Sequence, residues 1–117
     1  MMKSKITKTT IEKTKNHDTT MPLLNSMYNE FKELSKKKPD AAVSKYKINI
    51  VNRLLDKVRD VLSEEDSIDF LDILNEDDIP QVSDVTLILS QYVAAMNEFK
   101  GRYYGWDGTG HGWFTDK

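Results

Sequence analysis

The residues of this 117-residue chain best suited to specific chemistry lie in its C-terminal stretch. There Trp106, His111, Trp113 and Phe114 are set among Gly105, Gly108, Gly110 and Gly112, which are four of the chain's five glycines. Glycine at this density permits turns closed to other residues. The segment can therefore close over a ligand or offer aromatic side chains to a partner, as hot-spot residues do. It can equally fold back so that its tryptophans cover the end of a helical domain. Known loop motifs do not fit. Gly108, Gly110 and Gly112 give G-x-G-x-G, not the dinucleotide fingerprint, and they follow a helical pattern instead of preceding one. A calcium loop begun at Asp107 would meet Thr109 and His111 where acidic or amide ligands are required.

A second concentration is acidic: Glu64, Glu65, Asp66, Asp69, Asp72, Glu76, Asp77, Asp78 and Asp84. Nothing in that spacing makes oxygens converge on a cation. The block can lie in solvent, face a cationic helix of the same molecule, or meet a basic surface on a partner. Asp69, Asp72, Glu76, Asp77 and Asp78, together with Trp106, His111, Trp113 and Phe114, are the candidate partner-binding residues.

Catalysis has little to work with. The chain has no cysteine, which removes thiolate chemistry, disulfides and Cys-based zinc sites. Its two histidines, His17 and His111, form no ligand pair at helical spacing. A Ser/His/Asp arrangement would have to recruit His111 from the tail, and carboxylates on an exposed helix lack the shifted pKa that proton transfer needs. No catalytic residue, metal ligand or cofactor site is expected, and the protein is read as not an enzyme.

Charge is strongly polarised. Residues 1–59 hold fourteen Lys or Arg against six Asp or Glu, whereas residues 60–117 hold three against thirteen. Residues 1–19, rich in Lys and Thr, read as a flexible basic arm that either binds a polyanion or simply sits in solvent. No apolar run is long enough to span a bilayer, and no apolar segment follows the first lysines, so a cytoplasmic protein with no membrane partner is expected.

The elements that must position these residues are helical. Val85, Leu89, Tyr92, Met96, Phe99 and Tyr103 recur at intervals of four and three, which places them on one side of a helix over about 83–104, with Ser83 as cap and Gly105 as stop. A first helix is expected over about 20–37, capped by Thr20 with Pro22 in its first turn. A second is expected over about 40–62, and a short one over about 66–74. The expected fold is all-α: a small bundle of three main helices plus the short one, forming a single helical domain over 20–117 with residues 105–117 as its tail. Leu24, Met27, Phe31, Leu34, Leu54, Phe70 and Leu74 are among the residues assigned to the core.

Three function classes fit this expectation. The favoured one is a non-catalytic protein-interaction module (a small adaptor, inhibitor or regulator) docking through its acidic face and aromatic tail. A second is a nucleic-acid-associated regulator using the basic half, although stacking motifs are missing there. An immunity-type helical inhibitor is the third. The thin core also leaves room for a homodimer that shares faces.

Overall fold

The computed structural model describes residues 7–116, in which three long helices and short helical turns form a small helical bundle with a terminal hairpin. Helix α1 spans Ile11–Lys37, α2 spans Lys45–Val61 and α3 spans Val82–Tyr103. Strands β1 (Tyr104–Trp106) and β2 (His111–Trp113) follow as an antiparallel pair. The core joins Leu24 of α1, Ile48, Val51, Leu55, Val58 and Val61 of α2, and Val85, Leu89, Tyr92, Met96 and Phe99 of α3.

The first helix begins at Ile11, well before Thr20, so residues 11–19 of the expected flexible arm are helical. Residues 1–6 of that arm lie outside the described residues. Thr10 is the cap, its hydroxyl accepting from the Lys13 N–H at 3.1 Å. Hydrophobicity gave no sign of this because the buried stripe here is polar: Thr14, His17 and Thr20 precede Leu24 at helical spacing. Each polar group is satisfied. Thr14 Oγ1 donates to the Ile11 carbonyl, Thr20 Oγ1 to the Asn16 carbonyl, and His17 Nε2 to the Met96 carbonyl of α3. Pro22, expected in a first turn, stands inside the helix, where its missing N–H leaves the Asp18 carbonyl without its helical donor.

The second helix starts at Lys45, not near Asp40, because the preceding backbone is engaged elsewhere. Val43 N–H donates to the Pro80 carbonyl, while Val82 and Ser83 N–H groups donate to the Ala41 and Pro39 carbonyls. Ser44 then caps α2 by accepting from Lys47 N–H at 3.2 Å. Helix α3 matches its expected span to one residue at each end, a difference within the fraying of helix termini. Its start is secured by the Asp84 carboxylate, which accepts from Gln81 N–H at 2.9 Å; Ser83 is not the cap.

The short helix expected over 66–74 is a 3-10 turn confined to Asp66–Phe70, with a second such turn at Glu76–Asp78. Side chains of α2 and α3 take the backbone groups that would have continued the helix. Arg59 Nη1 donates to the Leu71 carbonyl at 2.8 Å, Tyr92 Oη donates to the Asp72 carbonyl at 2.9 Å, and Asn52 holds both the N–H and the carbonyl of Leu74. Lys45 completes the row with an ion pair to Asp77 at 3.6 Å. The contacts descend α2 in steps of seven residues while the connector advances in steps of three. Seven residues of helix rise about 10.5 Å and the three extended residues from Leu71 to Leu74 cover about 10 Å, which carries the connector from Arg59 to Asn52 in register. Phe70, assigned to the core with Leu71, ends exposed, whereas Leu71 is buried and Ile68 packs partly against the core.

Candidate functional site

The sequence-derived site residues occupy separate places. In the hairpin, Tyr104 pairs with Trp113 and Trp106 with His111, so all four side chains share one face while Gly105 and Gly112 take the other. The two ends of that face differ. Trp113 packs against His17 at 5.1 Å and Phe99 at 5.9 Å between ring centroids, and its indole N–H donates to Asp18. Trp106 is 60% exposed and touches the ring of His111 at 5.4 Å. Phe114 is half-buried, its ring lying against Gly105 on the opposite face of the hairpin, where an added Cβ would meet it at 3.4 Å. Its backbone accepts from Thr9 N–H and donates to the Tyr103 carbonyl, which ties the tail to the start of α1. The hairpin turn is held by Asp107, whose carboxylate accepts from Thr109 N–H, Thr109 Oγ1 and Gly110 N–H. These bonds hold its carboxyl below the usual range.

Asp69, Asp72, Asp77 and Asp78 are exposed along the connector, and Glu76 is half-buried. The acidic block meets cationic α2 through one ion pair among the described residues, Lys45 with Asp77. Its inward member is Glu65, which accepts from Tyr103 Oη at 2.8 Å and lies 3.7 Å from Arg102. Burial, and then the Glu65 carboxylate, push the Tyr103 hydroxyl above its ordinary pKa.

Neither histidine hydrogen-bonds a carboxylate or hydroxyl among the described residues. His17 stacks on Phe99 with its Nε2 proton committed to Met96, and burial lowers its pKa. Among the described residues, no three His, Asp or Glu side chains converge on a point where a metal ion would sit.

A groove that the sequence reading missed runs between α1 and α2, with a volume of about 900 Å³. Two rows line it: Thr20, Leu23, Met27, Glu30 and Leu34 from α1, and Lys47, Ile50, Leu54 and Lys57 from α2. Both advance by alternating threes and fours. Leu34 and Leu54 had been assigned to the core, but Leu34 is exposed and Leu54 half-buried. Leu24 and Leu55, on the inward faces of the same two helices, are fully buried. The missed signal is adjacency. Leu23–Leu24, Ile50–Val51 and Leu54–Leu55 are neighbouring apolar pairs, and neighbours about 100° apart on a helix cannot both face one partner. Two seams per helix were therefore written in the sequence. Lys38, Lys47, Arg53 and Lys57 rim the groove against a single carboxylate, Glu30, and no ion pair among the described residues engages any of the four cations.

No protein-family model matches the chain, and no curated protein or solved structure matches it either. Among the described residues, no helix is long and apolar enough to cross a membrane.

Proposed function

We propose that this protein is a non-catalytic protein-interaction module, a small adaptor, inhibitor or regulator that works by docking on another protein. The open apolar groove between α1 and α2 carries the reading. Leu23 is 56% exposed beside partly buried Met27, Phe31 and Leu54, so apolar surface lines up where none of the described elements covers it. Contiguous exposed apolar surface with a polar rim is the usual mark of a protein-binding site. The hairpin tip extends the docking surface, with Trp106 and His111 offered to solvent, and so do the exposed carboxylates of Asp69, Asp72 and Asp78. Nucleic-acid binding is the weaker reading, because the cations flank a floor whose one aromatic lining residue, Phe31, is partly buried, whereas single strands are held by stacking on successive exposed rings.

Affinity capture from the native host, comparing the unmodified chain with Leu23→Asp, tests the proposal. A stoichiometric protein partner should be retained by the first and lost by the second, and Trp106→Ala should weaken the same partner to a lesser degree. Identical partners on both baits, or none on either, would overturn the reading.

A further inference from the structure

We infer that the groove between α1 and α2 receives one amphipathic helix of a partner protein, with an apolar stripe and acidic flanks. This rests on the interaction reading and adds the conformation and charge of the partner. Conformation follows from the two lining rows. Thr20–Leu23–Met27–Glu30–Leu34 and Lys47–Ile50–Leu54–Lys57 each form one seam along a helix, and together they make the kind of elongated apolar groove between two helices into which an amphipathic helix lays its apolar face. The lining of α1 from Thr19 to Leu34 is about 22 Å long at a rise of about 1.5 Å per residue, which is room for about four turns of helix. A helix laid there would complete a four-helix arrangement and cover the second seam of both α1 and α2.

Charge follows from the rim. Four cations and one carboxylate border the apolar floor, and those cations pair with nothing among the described residues. Glutamates or aspartates beside the apolar stripe of the incoming helix would meet them at the edge of the groove, where opposite charges favour encounter and fix orientation. The same rim argues against a second copy of this chain seated face to face. A two-fold interface sets a patch against itself, so the mostly cationic rim of Lys38, Lys47, Arg53 and Lys57 would face a second rim of the same sign.

The test uses the full chain and fluorescein-labelled amphipathic peptides of about 18 residues, with leucines at alternating three-and-four spacing. A panel of several registers carries glutamate flanks, and a matched panel carries lysine flanks. Fluorescence anisotropy should show at least about a tenfold preference for the glutamate panel, shrinking as salt is raised. The double variant Lys47→Glu, Lys57→Glu, with an unchanged unfolding midpoint, should reverse that preference, and Leu23→Asp should weaken both panels. Equal or tighter binding of the lysine panel would overturn the inference. So would failure of every glutamate peptide to bind the folded chain, displacement of the peptides by a fatty acid that binds more tightly, or a sedimentation profile in which the groove variants abolish only self-association. If affinity capture still finds a Leu23-dependent partner while the glutamate panel fails, the interaction reading stands and the acidic helix falls.

Discussion

The two flanks of α2 make an instructive contrast. On one, Lys45, Asn52 and Arg59 stand seven residues apart and are covered by the connector, which they hold through an ion pair and hydrogen bonds to backbone. On the other, Lys47, Ile50, Leu54 and Lys57 are more apolar and have nothing laid over them among the described residues. A chain folding only for itself gains most by covering the apolar row. Here the polar row is covered and the apolar row is left open, which is the distribution expected when part of a seam belongs to another molecule.

The largest effect should come from the residue beneath both flanks. Leu55 is fully buried, and Leu55→Ala should cost about 2–5 kcal/mol in denaturant unfolding, with loss of both the connector contacts and the groove. A cost under about 1 kcal/mol would mean that the two flanks do not share one core. Next, Asn52→Ala strips the Leu74 N–H and carbonyl of their partners and should cost about 1–3 kcal/mol without altering groove binding. Hydrogen exchange at Leu74 would show whether the connector lifts locally.

Acid should loosen a third region while leaving the two flanks intact. Burial holds His17 below its ordinary value of 6.5, outweighing the hydrogen bond to Met96 and the nearby Asp18 carboxylate, which act in the other direction, while Lys100 adds a small lowering. A depressed histidine pKa means that the unfolded chain takes up the proton first. Stability is therefore complete above about pH 6.5 and declines as pH falls toward the folded-state value. Because His17 touches Trp113, indole fluorescence should change across that window, and His17→Gln should flatten the dependence. A profile unaffected by the substitution would remove His17 from this role. The smallest stability effect is expected at the open flank: Leu23→Ser should shift unfolding by no more than about 0.5 kcal/mol, since its side chain is already in water. A larger loss would show that the groove wall is structural.

The contrast between the two tryptophans shows how far composition carries. Both lie in a glycine-rich tail, yet one packs against the bundle and the other stands in solvent. Trp113 pairs with Tyr104 next to α3, where His17 and Phe99 are within reach, whereas Trp106 sits two residues farther along the same face, away from the helices. Nothing local distinguishes them. The strand register and the distance from α3 do.

The sequence by itself determined the three helical periods, and it determined the α3 stripe of Val85, Leu89, Tyr92, Met96 and Phe99 almost to the residue, because a large apolar side chain repeated at helical spacing has one low-energy way to leave water. It also contained the second seams, in the apolar pairs Leu23–Leu24 and Leu54–Leu55. Which member of each pair turned inward was a tertiary decision, since both suit a helix equally and only packing against α3 separates them. The early start of α1 was decided the same way. Thr14, His17 and Thr20 tolerate burial because α1 carbonyls and the Met96 carbonyl of α3 satisfy their polar groups, and the His17 partner lies 79 residues away in sequence. The connector stopped being helical for a matching reason, as side chains of α2 and α3 offered its backbone hydrogen bonds as good as its own.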